Sequence, residues 1–246
     1  MMRSNEELQQ FAMVASHDLQ EPLRKVQAFG DRLKTKYGDV LDERGLDYLT
    51  RMQDAAQRME TLINDLLDFA RVTSRAKPFA PVDLGKLMAE LVADLDVQIK
   101  ESGAKIEIGK LPTLDADPSQ MRQLFQNLIG NALKYRRQDV PPVIKITSKA
   151  KPGKGRHPKH GRKTSHRITI SDNGIGFKDE HAERIFGIFR RLHGRVSYSG
   201  TGVGLAIVRK IVERHNGAIT ASGVPGHGAT FTITLPEIQP KLERTR

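Results

Sequence analysis

Two stretches of this chain repeat their apolar residues every seven positions, and that repeat restricts the fold more than any other property. Over residues 4–37 one set is Leu8, Ala15, Pro22 and Phe29, and the interlocked set is Ala12, Leu19, Val26 and Leu33. A second stretch follows with Leu49, Ala56, Ile63 and Ala70, together with Met52, Met59 and Leu66. Sevens of this kind draw a seam along an α-helix. The segment between them, YGDVLDERG (37–45), is short and polar, with Gly38 as a helix stop. The reading is an antiparallel helical hairpin. Two helices cannot cover both seams alone, so a dimeric four-helix bundle is the simplest arrangement. Pro22 lacks a backbone donor inside the first helix, so a kink is expected there, and a kink is a place to bend. The helical pattern is already running at Asn5–Gln10, so the chain reads as a piece of something longer.

Residues 74–82 (SRAKPFAPV) read as a linker, with Pro78 and Pro81 as helix breakers. Beyond it the pattern mixes periods. Asp83 is placed to cap a helix running to about Ser102, and residues 104–109 (AKIEIG) alternate like a strand. DADPSQMRQLFQNLIGNALKYR reads as a helix with proline near its start. Residues 143–148 and 167–172 read as strands joined by a basic loop. GLAIVRKIVERHNG is a helix ending at Asn216-Gly217, and GAITASG and ATFTITLP complete the strands. The fold class is therefore α+β: a hairpin forming a four-helix bundle, then a sheet with helices on one face. The expected division is residues 1–75, a linker at 76–82, a second domain at 83–237 and a tail at 238–246.

Composition narrows the classes. The 246 residues are 38% hydrophobic and 28% charged, a balance that supports a packed core. There is no cysteine, which excludes disulfides and thiolate metal sites and fits a reducing compartment. No segment has the apolar length to cross a bilayer, and no signal-peptide pattern opens the chain. The net charge is +11, and much of it is local: Lys149, Lys151, Lys154, Arg156, Lys159, Arg162, Lys163 and Arg167 occur with no acid among them. This run reads as a solvated loop. It carries no aromatics, so stacking on bases is unsupported, and neither nucleic acid nor membrane is expected as a partner.

Several residues carry chemistry. His17 falls on the outward face of the first helix, and Asp18 follows it. A carboxylate accepting from one ring nitrogen fixes the tautomer and leaves the other nitrogen to attack. Near neutral pH such an imidazole is largely uncharged and nucleophilic. Arg24 and Lys25 lie two turns on, placed to screen phosphate charge. Further along, Asn127 and Asn131 are four apart and share a helix face, with Lys134 one turn beyond. An Asn carbonyl is an uncharged hard ligand suited to Mg²⁺ already bridged by phosphate oxygens, and Lys134 suits a phosphate. Asp172 ends a strand and opens DNGIGF (172–177). A carboxylate accepts but cannot donate, so it would take the amino group of adenine and repel the carbonyl of guanine. GTGVGL (200–205) precedes an apolar helix, where glycine amides and the helix start favour anions. The stretch between these strings reads as a lid pinned by Phe186 and Phe189, with Arg190, Arg191 and Arg195 available to a transferring phosphate.

Taken in order, HDLQEPL, NLIGNALKY, DNGIGF, IFGIFRRLH and GTGVGL resemble the H, N, glycine and F boxes of the sensor histidine kinases of two-component signalling, with SHDLQEPLR and RRLHGR similar to the phytochrome-like subgroup. The resemblance runs from about residue 5 to 236. It implies a dimerisation and phosphoacceptor hairpin followed by an ATP-binding α/β sandwich of the gyrase, MutL and histidine kinase type. It implies that His17 is phosphorylated with Asp18 as general base, that ATP and Mg²⁺ are the cofactors, and that Asn131 holds the metal with Asn127 in support. It also implies that Lys134 meets phosphate and that Tyr135 flanks adenine. Asp172 would read the adenine amino group with Thr230 supporting it through water. Gly174, Ile175 and Gly176, with Thr201, Gly202, Val203, Gly204 and Leu205, would shape the pocket and lid. The implied reaction is attack of an imidazole nitrogen on the γ-phosphorus. The implied partners are a second copy and a response-regulator receiver domain, in the cytoplasm. Glu21 departs from the family pattern: many members carry Thr or Asn four residues after the histidine, so the resemblance does not extend to dephosphorylation of the regulator. A nucleotide-binding scaffold and an ATPase clamp are the competing classes.

Overall fold

The computed structural model describes residues 2–74, 76–157, 161–192 and 200–239, with side chains described for 18–72, 76–152, 164–192 and 200–239. The chain divides into two units, Met1–Ser74 and Arg75–Arg246.

The first unit is a helical hairpin of α1 (Met2–Tyr37) and α2 (Glu43–Ser74). α1 stops where the seven-residue pattern meets Gly38: a Cβ at that position would lie 2.4 Å from the Lys34 carbonyl. Val40 and Leu41 then donate to the Tyr37 carbonyl, and Asp42 accepts from Gly45 N at 2.7 Å to start α2. α1 runs through Pro22 as one helix. The two helices meet through polar side chains. Gln20 donates to Asn64 at 2.8 Å, Gln27 to Gln57 and Glu60, and Gln53 to Asp31 at 2.6 Å. Gly30 permits the close approach: a Cβ there would meet Gln53 at 2.9 Å. On α2, Leu49 and Ala56 are buried. The sevens described on α1 are not. Leu19 (55%), Val26 (37%), Phe29 (60%) and Leu33 (43%) remain open, as do Met52, Met59 and Leu66 of α2.

The second unit packs helices against a five-stranded sheet of order β2-β4-β5-β7-β6. Its strands are β2 (Lys105–Ile108), β4 (Val143–His157), β5 (Gly161–Asp172), β6 (Ala218–Val224) and β7 (Gly228–Pro236). β2 runs parallel to β4 and the other pairs are antiparallel. Alternation places Ile144, Ile146, Ile168, Ile170, Ile233 and Leu235 inside while Lys145, Lys149 and Arg167 stay outside. Against the inner face lie the stripes of α3 (Leu84–Asp94), α5 (Pro118–Lys134) and α6 (Gly204–Arg214). They contribute Met88 and Leu91, then Leu124, Phe125, Leu128 and Ile129, then Val208, Ile211 and Val212, all at or below 1% exposure. Burying each such side chain is worth about 1.5–3 kcal/mol. The family of expected elements is present: α5 opens on Pro118 with Asp117 as cap, and α6 ends at His215 with Asn216 at φ 53.

Three expectations change. The single helix from Asp83 to Ser102 is two. Asp83 does cap α3, accepting from Gly85 N and Lys86 N, but the helix stops at Leu95, and α4 (Asp96–Ser102) follows and ends on left-handed Gly103. The linker expected at 76–82 overlaps β1 (Ala80–Asp83), which pairs antiparallel with β3 (Thr113–Ala116) in a two-stranded sheet. Pro81 is tolerated because this small sheet has only edges. The basic loop expected after residue 148 is a continuation of β4 and β5, which stay paired from Lys149↔Arg167 to His157↔Gly161 with one irregularity between Pro152 and Arg156. Among the described residues, no helix is long and apolar enough to cross a membrane.

Candidate functional site

The sheet unit contains a partly open pocket of about 90 Å³. α5 sets one wall. Its start is fixed by Asp117, whose carboxylate accepts from Ser119 N, Ser119 Oγ and Gln120 N. Burial pushes this carboxyl up, but those bonds, the Lys77 amide and the Arg214 guanidinium outweigh it and hold the group below its usual range. The helix then runs with Leu124, Leu128 and Ala132 buried, so Asn131 and Tyr135 near its far end face the pocket.

β5 ends the second wall. Asp172 Oδ1 accepts from Gly174 N at 2.9 Å and Ala229 N at 3.2 Å. No described residue donates to its Oδ2. Burial pushes the Asp172 carboxyl up, and the two backbone amides oppose that without cancelling it. The loop beyond is fitted to its surroundings. Ile175 N donates to the Tyr135 carbonyl at 2.9 Å. Gly176 sits at φ 61, where a Cβ would lie 2.1 Å from the Val224 carbonyl. Ile175, Gly176 and Leu205, which follows the first residue of α6, complete the expected lining.

The other expected site residues stand close by without lining the pocket. Asn127 donates to Gln123 O at 2.9 Å, and its Oδ1 lies where a Cβ on Gly204 would come within 2.6 Å. The Lys134 ammonium is 4.4 Å from the Tyr135 ring centre and close to Gly200. Gly174 packs on the Tyr135 carbonyl. Thr230 pairs with Ser171, beside the Ala229 amide that meets Asp172. Gly202 takes φ 80, and Val203, fully buried, caps α6 ahead of Gly204. Thr201 lies between these left-handed glycines, outside the lining. Of the two phenylalanines expected to pin the lid, Phe186 is buried and meets Phe231 edge-on at 6.5 Å, whereas Phe189 is exposed with φ 59. Arg190 and Arg191 line the pocket, and Arg191 also donates to Gly200 O at 2.8 Å. Arg195 and the side chain of His17 lie outside the described residues. The His17 backbone is in α1, and Asp18 is exposed.

Phe177 and Ile185, the last residue of DNGIGF and the first of IFGIFRRLH, also line the pocket, as do Ala229 and Phe231. For Phe231 a signal existed: it alternates with Ile233 and Leu235 on the inward face, and it pairs with Ile170 two residues before Asp172.

The arrangement can hold a flat, partly apolar group against Ile175, Leu205 and Phe231, with a buried carboxyl reading its edge and two guanidiniums for an anion. Among the described residues no cluster of three or more His, Cys, Asp or Glu is built to hold a metal by itself. One Asn oxygen fits a divalent ion that takes its remaining ligands from phosphate and water.

Residues 116–239 match the family described as histidine kinase-, DNA gyrase B- and HSP90-like ATPase, and residues 7–75 match the His Kinase A (phospho-acceptor) domain. The phytochrome-like protein Cph1 of Synechocystis sp. is 40% identical over 234 residues, covering 95% of this chain and 30% of its own length. The sensor protein kinase WalK of Staphylococcus aureus is 31% identical over 236 residues, covering 94% of this chain and 54% of the relative. The chain thus spans about a third to a half of these relatives. The crystal structure of full-length ShkA in complex with AMPPNP superposes with a TM-score of 0.66 at 27% identity, over 94% of this chain and 46% of that one. The two matched domains, in this order and joined to the pocket described above, place the chain in the sensor histidine kinase family, with a phosphoacceptor hairpin and an ATP-binding core.

Proposed function

We propose that the chain is an ATP-dependent protein histidine kinase that phosphorylates its own His17 and passes the phosphoryl group to an aspartate of a response-regulator receiver domain. The observation that carries this is the convergence of Asn131, Asp172, Arg190 and Arg191 on one pocket, in a chain whose α1 bears HDLQEPL.

In this reading ATP is the substrate. Its adenine lies against Ile175, with its amino group toward Asp172 Oδ2, the oxygen that the backbone amides leave open. Tyr135 flanks the base, Lys134 meets phosphate, and Gly174, Gly176, Gly202 and Gly204 keep backbone close to the nucleotide. Thr201 and Val203 position the start of α6, and Thr230 supports Asp172. Asn131 would hold Mg²⁺ with Asn127 in support; the ion would supply charge neutralisation at the phosphates. Asp18 orients the His17 imidazole and takes its proton. A ring nitrogen forms a bond to the γ-phosphorus as the bond to the bridging oxygen breaks and ADP leaves. Positioning and charge stabilisation do most of the work. The phosphoacceptor role falls to residues 1–75 and the nucleotide role to 83–237. A second copy of the chain covers the open sevens of α1 and α2, because apolar stripes of this length seldom stay in water.

Incubation with Mg²⁺ and ATP labelled at the γ-phosphate tests the reading. Acid-labile, base-stable label on the protein is expected, and it is absent in His17→Gln. Hydrolysis without label would instead make the chain an ATPase clamp, and binding without either would make it a scaffold.

A further inference from the structure

Beside the pocket three segments far apart in sequence are joined by a chain of hydrogen bonds that none of the motif strings explains. The Tyr135 carbonyl accepts from Ile175 N at 2.9 Å, and the Ile175 carbonyl accepts from Gly226 N at 2.7 Å. The Gly226 carbonyl accepts from Arg137 Nη1 at 2.8 Å. Arg137 is two residues from Tyr135, so the bonds close a ring. Its members are the end of α5, the loop after Asp172 and the turn between β6 and β7. Tyr135 and Ile175 both line the pocket, and Gly176 beside them touches the same turn through the Val224 carbonyl.

The arginine is itself held. Its Nε donates to Asp139 Oδ1 at 3.0 Å, and its Nη2 donates to Asp139 Oδ2. The planar fork thus spends one edge on the carboxylate and keeps Nη1 for the carbonyl. A lysine has a single ammonium and no fork, so it cannot make this pair of contacts with the same geometry. Both side chains are partly exposed, at 31% for Arg137 and 64% for Asp139, and neither belongs to the core.

Resting on the nucleotide reading of the pocket, we infer that Arg137 is a positioning residue for nucleotide binding. It ties the β6–β7 turn to the end of α5 and thereby fixes the separation of Ile175 and Gly176 from Tyr135. Without it the ring opens at one bond, the wall formed by Ile175 and Gly176 relaxes, and the slot loses preorganisation. The reacting end of the nucleotide is not involved, so the effect falls on affinity and leaves chemistry alone.

The test uses the full chain and three variants, Arg137→Ala, Arg137→Lys and Asp139→Asn. Kd for ADP is measured by calorimetry, initial rates of label incorporation against ATP concentration give KM and the saturating rate, and a thermal melt monitors the fold. Arg137→Ala is expected to raise Kd for ADP and KM for ATP about tenfold, with the saturating rate within about twofold and the melting temperature unchanged. Arg137→Lys recovers little, and Asp139→Asn shifts Kd in the same direction by less. An unchanged Kd in Arg137→Ala overturns the inference, as does a lowered saturating rate at constant KM or full rescue by lysine. If Arg137→Ala fails to fold, an unaltered Kd in Asp139→Asn overturns it. A loss of affinity that merely follows a falling melting temperature in every variant overturns it as well. If the parent chain itself binds no ADP, the nucleotide reading falls first and the inference with it.

Discussion

The hairpin and the sheet unit cover apolar surface in opposite ways. In the sheet unit the alternating strands and the helix stripes meet inside one chain, and Ile144, Ile146, Leu124, Phe125 and Val208 are wholly buried. In the hairpin α1 and α2 touch through glutamines, Asn64, Asp31 and Glu60, while Leu19, Phe29, Leu33 and Met59 face outward. The same residue types therefore carry two kinds of information. In the sheet unit they specify how the chain folds upon itself. In the hairpin most of the described sevens stay open, and in the proposed reading a second copy covers them.

The comparison can be broken most sharply in the core. Leu128→Ala is expected to destabilise the sheet unit by about 2–5 kcal/mol, because a cavity remains where the side chain was. Denaturant unfolding should show that loss equally at low and high protein concentration. A concentration-dependent loss would mean that the sheet unit, too, is completed by a partner.

Phe29→Ala should behave in the opposite manner. Removing a ring that the proposed second copy would bury should weaken association by about 1.5–3 kcal/mol, or roughly ten- to a hundredfold in the dimer dissociation constant. Sedimentation equilibrium reads this directly. A monomeric parent chain, or a variant that associates as tightly as the parent, would break the contrast between the two regions.

A smaller effect sharpens it from the side of the sheet unit. His215 is buried, with Nε2 accepting from Asp117 N at 3.0 Å and Nδ1 bonded to the Ile211 carbonyl at 2.8 Å, which fixes the neutral tautomer. Burial pushes its pKa down from 6.5, and Arg214 beside it adds to the shift against the opposing pull of Ile211 and Asp117. Above pH 6.5 both states are neutral at this residue and stability is flat with respect to it. As pH falls below that value the unfolded chain takes a proton that the folded chain refuses, so stability declines until the lowered folded value is reached. The slope is at most about 1.4 kcal/mol per pH unit for one proton. His215→Gln should flatten this decline below pH 6.5 in denaturant titrations; an unchanged slope would show that another group causes it.

Legibility in the sequence followed the locality of the signal. α5 was readable because its cap, its first-turn proline and its apolar stripe all lie within one segment, Asp117 to Lys134. Asn131, Asp172, Ile175, Gly176 and Leu205 were readable as lining because they sit in compact strings. The break at Leu95 has no local mark, since neither glycine nor proline stands there. β1 and β3 are four residues each and exist only as each other's partners, so neither shows a period of its own. The extension of β4 and β5 was hidden by its lysines, glycines and prolines, which argue for a loop until the cross-strand register is known. Phe189 shows the same limit in reverse: an aromatic in a lid-like stretch reads as a pin, yet φ 59 turns it outward and leaves Phe186 as the buried ring.

The central claim is that the phosphoryl group of ATP ends on one imidazole of α1. Peptide mapping by mass spectrometry under alkaline conditions, after incubation with Mg²⁺ and ATP, tests it most directly. A single added phosphoryl group is expected on the peptide containing SHDLQEPLR, located on His17 and absent when Asp172→Asn removes the carboxyl that reads the base. A phosphoryl group on any other residue, or a chain that remains unmodified while binding ATP, would contradict it.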